Sequence, residues 1–144
     1  MLKVLIGVDD SAESRDAVTT AFLFFGPDAE YIIAAVSERI PYLFSASIAG
    51  GSAATARQLE EEFDVAARVA EQRAAEASES LPTSAEVTTE FGRAGHALCR
   101  LASEHAVDAV VIGSQDKTVW QRILDPSVGR YLIDNAPCPV LVVR

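Results

Sequence analysis

The most constraining feature of this sequence is a set of short runs that are apolar on both sides. The runs cover residues 4–8, 31–36, 109–112 and 140–143, and turn residues or helical patterns separate them. A strand whose two faces are both apolar is typical of a parallel sheet that helices cover on both sides. The chain is therefore expected to fold as an α/β sandwich.

Stretches with helical spacing of apolar residues lie between these runs. They are residues 11–25, 52–80, 94–105 and 128–135. The second is rich in alanine and glutamate and stops before Pro82, while residues 86–91 alternate in polarity and predict a further strand. The resulting βαβαβαβαβ order predicts a single open parallel five-stranded sheet with helices on both faces and right-handed crossovers.

Size and charge narrow the class of protein. The 144 residues suit one domain, residues 1–144, and the formal charge of −9 repels nucleic acid and anionic membranes. No run approaches the roughly 20 apolar residues of a membrane span, and the N-terminal run is too short for a secretory segment. Cys99 and Cys138 lack metal-binding spacing and are predicted to be reduced and buried. We expect a folded cytoplasmic domain with neither nucleic acid nor membrane as a partner.

Polar residues follow the predicted strands at the edge where open parallel sheets bind ligands. They are residues 9–11, 36–38 and 113–116. The sequence contains no phosphate-loop, dinucleotide-binding, zinc-protease or serine-hydrolase motif. Ser11 and Ser14 have no histidine near them in sequence, so they are predicted to serve turn or helix-start roles. The chain is therefore not expected to be an enzyme.

Three segments carry a resemblance to a known family: residues 4–11 (VLIGVDDS), residues 111–114 (VIGS) and residues 136–143 (APCPVLVV). Together they resemble the universal stress protein family over essentially the whole chain. The resemblance implies an adenine-nucleotide alpha-hydrolase-like fold with strand order 3-2-1-4-5 and a dimer. Some members of that family bind ATP or related nucleotides, and others do not.

Nucleotide-binding members of that family carry the pattern G-x2-G-x9-G-[ST] after the fourth strand. Gly113 and Ser127 match its first glycine and its final hydroxyl, whereas Asp116 and Pro126 replace the other two glycines. The resemblance assigns eight residues to a cofactor-binding site, the first two toward the base: Asp9, Val36, Gly113, Ser114, Gln115, Asp116, Ser127 and Val128.

The replaced glycines weaken the phosphate half of this site. Pro126 has no N–H to donate to a phosphate, and Asp125 is suited to cap the following helix, which leaves a carboxylate where phosphate would lie. Asp116 adds a second negative charge, which nearby basic residues or a bridging Mg²⁺ could offset. The sequence favours a non-enzymatic stress-response domain with weak or no ATP binding that acts through protein partners. The alternative is a sensor that binds ATP or AMP, with Mg²⁺ and at most slow hydrolysis.

The last apolar run, residues 140–143, lies at a sheet edge in the implied strand order. Only Pro139 and Arg144 flank it as local protection, so its unpaired backbone groups would invite pairing with another chain. We expect a homodimer in which this C-terminal strand pairs antiparallel with its own copy about a two-fold axis.

Overall fold

The computed structural model describes residues 1–9, 12–37, 53–113 and 127–144. Strands and helices alternate along these ranges. They are β1 (Lys3–Val8), α1 (Ala12–Phe25), β2 (Glu30–Ser37), α2 (Ala53–Ser78), β3 (Ala85–Phe91), α3 (Ala94–Glu104), β4 (Ala109–Gly113), α4 (Ser127–Asn135) and β5 (Val140–Val143). The predicted order of elements is confirmed, and their bounds lie close to those predicted.

The five strands form one parallel sheet in the order β3-β2-β1-β4-β5, which confirms the order implied by the family resemblance. β1 lies in the middle, and its Val4, Leu5 and Ile6 are completely buried. The edge strands β3 and β5 are only partly buried. The runs that are apolar on both sides therefore fill the centre of the sheet, as expected for parallel strands covered on both faces.

Each face of the sheet has its own core cluster. Val4 and Ile6 of β1 point into a cluster with α1 and α2, whereas Leu5 points into a cluster with α3 and α4. This alternation follows from the two-residue period of a strand. Both faces of the sheet are thus covered, as the sequence predicted.

α2 is longer than the strands on which it packs. Its 26 residues span about 39 Å, whereas the 8 residues of β2 span about 26 Å. Ala70, Ala74 and Ala77 in its C-terminal half are buried. Nearer its N-terminus, Phe63 is half-buried and makes an edge-to-face contact with Phe91 at the end of β3, with ring centroids 5.5 Å apart. The alanine stripe therefore belongs to the core only in the C-terminal half of the helix.

Two glycines allow close helix packing. A Cβ on Gly7 would lie 2.9 Å from Leu98 Cδ1, so the approach of α3 to β1 depends on the missing side chain. A Cβ on Gly95 would lie 2.9 Å from Tyr131 Cδ1, which brings α3 and α4 together. Tyr131 also stacks on the exposed ring of His96, with centroids 4.0 Å apart. The contact at Gly7 holds α3 against the sheet, and the contacts of Tyr131 with Gly95 and His96 hold α3 against α4.

Cys99 and Cys138 are free thiols as predicted, but the prediction that they are buried is wrong, because both lie half-buried at the rim of the cluster under α3 and α4. Burial raises the pKa of both thiols. The negative charge of Asp108 raises the pKa of Cys138 further, as does the charge of Cys99 at a pH high enough to ionise that thiol. Both side chains are therefore protonated near neutral pH and behave as small apolar groups.

Candidate functional site

The carboxyl ends of β1, β2 and β4 lie side by side, and the register places three predicted site residues there. In β2, Val36 lies one residue beyond the partner of Val8, so it is level with Asp9. In β4, Gly113 lies one residue beyond the partner of Gly7, so it is level with Val8. The sheet thus brings Asp9, Val36 and Gly113 to the edge at which open parallel sheets bind ligands.

Asp9 is held in place by Ser14, which lies in the first turn of α1. The backbone N–H of Asp9 donates to Ser14 Oγ at 2.8 Å, and the Ser14 hydroxyl donates back to Asp9 Oδ1 at 2.8 Å. Ser14 is only 5% exposed, whereas Asp9 is half-buried. The pair fixes a hydrogen-bond acceptor at the end of the central strand.

Val36 provides an apolar surface at the same edge. Its side chain is half-buried and packs against the cluster under α3 and α4. Its register partner in β3 is Glu90, whose carboxylate accepts a hydrogen bond from the guanidinium of Arg100 in α3. Arg100 therefore neutralises the negative charge of Glu90 beside Val36. Glu90 adds little negative charge to that of the Asp9 carboxylate.

The family is decided by a match over the full length of the chain. A sequence model described as the universal stress protein family matches residues 1–144. The chain belongs to the universal stress protein family. The resemblance carried by residues 4–11, 111–114 and 136–143 is thereby confirmed. A comparison with curated protein sequences gives no significant match.

Solved structures share the fold of this universal stress protein. Universal stress protein UspA from Lactobacillus plantarum is 23% identical, with a TM-score of 0.74 and coverage of 99% of this chain and 97% of that one. A universal stress protein in complex with cAMP is 22% identical, with a TM-score of 0.60 and coverage of 99% and 97%. A family protein from Arabidopsis thaliana with AMP bound is 13% identical, with a TM-score of 0.63 and coverage of 99% and 91%. These likenesses establish the adenine-nucleotide alpha-hydrolase-like fold.

The structure describes only the two ends of the phosphate half of the predicted site. Gly113 ends β4 and Ser127 begins α4. The residues predicted between them, Ser114, Gln115 and Asp116, lie outside the described residues, as does Pro126. Because α4 leads from the carboxyl end of β4 back to the start of β5, its N-terminus lies at the same edge as Asp9.

Two side chains near the start of α4 do not point toward a ligand at this edge. Val128 is buried and packs in the cluster under α4, so it can offer a ligand only its backbone N–H. Arg130 is largely exposed, and its Nε lies 4.0 Å from Oδ2 of Asp134, one turn further along the helix. Such exposed pairs contribute little to stability. What α4 presents at the edge is therefore its backbone rather than these two side chains.

Sequence reasoning did not connect Ser14 to Asp9. The available signal was helical spacing, because Ser14 precedes Ala17, Val18 and Ala21 by three, four and seven positions and so shares their inward face. A polar residue on an apolar stripe needs a hydrogen-bond partner. The strand-end aspartate five residues earlier was the candidate partner.

The described ranges hold neither a metal-binding cluster nor a membrane span. Within them, no group of three or more His, Cys, Asp or Glu side chains is placed to hold a metal ion. None of the helices in the described part of the chain is long and apolar enough to cross a membrane.

Proposed function

We propose that this chain, as one domain over residues 1–144, is a dimeric cytoplasmic stress-response protein that binds the base of an adenine nucleotide, holds triphosphate weakly and acts on protein partners without catalysis. The observation that carries the proposal is the fixed acceptor of Asp9, level with the apolar Val36 at the carboxyl edge of the sheet. The other predicted site residues contribute the phosphate half.

The base half suits adenine. Adenine has a flat apolar ring and an exocyclic amino group that donates hydrogen bonds. Ligand sites of this kind combine an apolar surface with a few placed polar groups, and here Val36 is the surface and the Asp9 carboxylate the acceptor. Two proteins of the same fold support the choice, since one is in complex with cAMP and the other has AMP bound.

The phosphate half favours a monophosphate over ATP. The first N–H groups of a helix have no partner within that helix, so the start of α4 favours an anion. Pro126 lacks an N–H, however, and Asp116 and Asp125 bring two negative charges into the same segment of sequence. One such charge ~4 Å from a phosphate charge, at an effective dielectric constant of ~20, costs about 4 kcal/mol, roughly a thousandfold in affinity. AMP and cAMP carry less charge than ATP and are repelled less.

A second candidate is a nucleotide sensor that binds ATP and hydrolyses it slowly. It is favoured by Gly113 and Ser127, which retain two positions of the family's nucleotide pattern. A Mg²⁺ ion between the phosphates and the aspartates would turn their repulsion into attraction. The two candidates therefore differ in how Mg²⁺ changes the preference between AMP and ATP.

Isothermal titration with AMP, cAMP and ATP, each with and without Mg²⁺, separates these candidates. We expect a monophosphate to bind more tightly than ATP under both conditions, and no phosphate release from ATP. A sub-micromolar dissociation constant for ATP with Mg²⁺, or phosphate release above background, would support the sensor instead. If none of the three nucleotides binds, base recognition by Asp9 is refuted.

A double variant tests the phosphate half directly. Asp116→Gly with Pro126→Gly restores the family pattern and should raise ATP affinity more than AMP affinity. Asp28→Gly is the control. It removes one negative charge from the exposed turn before β2, which lies at the amino ends of the strands, away from the candidate site. Unchanged ATP affinity in the double variant would contradict the role given to the two replaced glycines.

We propose that the dimer forms through β5, and exposed apolar side chains along that edge support it. Val142 of β5 is 37% exposed. Ile133 of α4 is 66% exposed. Tyr131 packs on α3, and Ile133 lies about 200° further round the same helix, so the Ile133 side chain faces away from α3 and toward β5. Phe24 of α1 is 71% exposed and lies about 200° round from Phe22, which packs toward β2. Pairing of two β5 edges would join these side chains in one apolar surface.

Light scattering tests this interface. Val142→Lys places a charge at the β5 edge at a cost of several kcal/mol, so we expect a dimer for the parent protein and a monomer or aggregate for the variant. Val65→Lys is the control, because Val65 is an exposed valine of α2, which packs on β2 and β3, away from β5. A parent protein that stays monomeric at high micromolar concentration would refute pairing through β5.

A further inference from the structure

The two layers of helices differ in charge. α2, which covers one face of the sheet, carries six acidic and three basic side chains. The other face is covered by α3 and α4, which with the residue before α3 carry three arginines and a histidine against two acidic side chains. The protein has a formal charge of −9, so the basic outer surface of α3 and α4 stands in contrast to the chain as a whole.

The basic side chains of this layer share one outer surface. Arg93, His96 and Arg100 are exposed and recur at the i, i+3, i+7 spacing of one helix face, whereas residues 94, 95, 97, 98, 101 and 102 are buried. Tyr131 of α4 packs on α3, and the neighbouring side chain of Arg130 is 87% exposed. We call Arg93, His96, Arg100 and Arg130 the basic face.

Two of these side chains are held in place by contacts within the protein. Arg100 Nη2 donates to Glu90 Oε2, which engages one of the five N–H donors of the guanidinium. The His96 ring stacks on Tyr131, with ring centroids 4.0 Å apart. Among the described residues, no carboxylate pairs with Arg93. The basic face thus combines ordered groups, which lose little side-chain entropy on binding, with an arginine that can take a new carboxylate.

We propose that the basic face docks an acidic helical segment of a protein partner. The inference rests on the proposed function only in that the protein acts on protein partners. Along the axis of α3, Arg93 and His96 are separated by about 4.5 Å, and His96 and Arg100 by about 6 Å. Glutamates at positions i, i+3 and i+7 of a second helix that lies parallel to α3 have the same spacing. Charge complementarity and this spacing together define the chemistry of the partner.

A nucleic acid fits the basic face less well than an acidic helix does. Duplex DNA carries one charge about every 1.7 Å along its axis and extends beyond the face. Glu104 and Asp134 border the face and repel phosphates there. A short helix with one acidic stripe stays within the face. The acidic side chains of α2 lie beyond the ~10 Å diameter of α3, farther than the Debye length of ~8 Å at physiological salt, so they repel such a helix little.

Fluorescence anisotropy at physiological salt tests the docking surface with the full chain. The probe is a labelled alanine-based helical peptide with glutamates at i, i+3 and i+7, and the same peptide with glutamines is its control. We expect the parent protein to prefer the glutamate peptide. Arg93→Gln with Arg130→Gln should weaken its binding roughly two- to thirtyfold, because each exposed ion pair contributes about 1.4- to 5-fold. Arg57→Gln with Arg68→Gln is the matched control, because it removes the same charge from exposed positions of α2 and should leave the affinity nearly unchanged.

Three results would overturn the proposal. They are equal binding of the glutamate and glutamine peptides, an equal loss of affinity in the α2 control, and tighter binding of oligothymidylate or of phosphatidylserine vesicles than of the peptide. Titration of the parent protein with AMP separates this outcome from that of the proposed function. If AMP binds but the glutamate peptide does not, the acidic partner is refuted while nucleotide recognition stands. If the peptide binds and no nucleotide does, nucleotide recognition fails and the docking surface stands.

Discussion

The contact between β1 and α3 predicts a large effect from one added methyl group. In Gly7→Ala the new Cβ would lie 2.9 Å from Leu98 Cδ1, and 3.3 Å from both Leu98 Cδ2 and Ile112 Cγ2. Leu98 and Ile112 are both buried, so neither can move into solvent. Overpacking of this kind costs about 1–3 kcal/mol. Alanine also restricts the unfolded chain more than glycine does, which stabilises the folded state by about 0.4–1 kcal/mol. We therefore expect the free energy of unfolding to fall by about 1–2 kcal/mol.

Urea unfolding followed by circular dichroism measures this loss, and two further variants check its cause. Gly129→Ala is the matched control, because its Cβ would meet nothing closer than Ile112 Cδ1 at 3.8 Å. As a helix residue it should gain up to about 1 kcal/mol. Leu98→Val removes both Cδ atoms, so Gly7→Ala should cost little in that background. If the two changes are additive, or if Gly7→Ala is as stable as the parent, steric contact with Leu98 is not the cause.

Two further predictions concern groups away from the site. The Tyr31 hydroxyl donates to the Gly26 carbonyl at 2.7 Å, so Tyr31→Phe should lower the free energy of unfolding by about 0.5–1.5 kcal/mol in urea, and an unchanged value would show that the bond contributes nothing. Because burial raises the pKa of Cys99 and Cys138, both should react with iodoacetamide more slowly at pH 8 than in the urea-unfolded chain, with rates that rise above pH ~8.5. Peptide mass spectrometry measures the rates, and equal rates in the two states would contradict the raised pKa values.

The fold was predictable because its central strands have no polar face. Residues 4–8, 31–36 and 109–112 lack the alternation of a half-exposed strand, and each fills the middle of the sheet. Hydrophobic pattern alone does not determine strand order, which came from the resemblance carried by the segments around β1, β4 and β5. The burial of α2 was less predictable. The same apolar spacing continues along the whole helix, but only about half of it faces the shorter strands.

The candidate site was predictable where it depends on strand ends. Asp9 follows β1, and Val36 is the penultimate residue of β2. The parallel register places the two residues level with each other. The link from Ser14 to Asp9 was predictable in part, because the helical spacing places Ser14 on the inward face of α1, where a hydroxyl needs a hydrogen-bond partner. The burial of Val128 was predictable in principle, since Leu132 lies four residues further on the same helix face. The family motif nevertheless assigned it to the ligand.

The two halves of the site are built from different kinds of structure, and this bears on how the ligand preference of such a domain changes. The base half consists of the ends of β1 and β2 and a buried hydroxyl of α1, so a change at Ser14 or Asp9 also alters a link within the fold. In the proposed function the phosphate half is the segment between Gly113, which ends β4, and Ser127, which begins α4. Asp116 and Pro126 in place of glycine add a negative charge and remove an N–H there, which lowers the phosphate charge that the proposed site tolerates. In the proposed function, base recognition is therefore tied to a hydrogen-bonded link within the fold, and the number of phosphates is set by the sequence between Gly113 and Ser127.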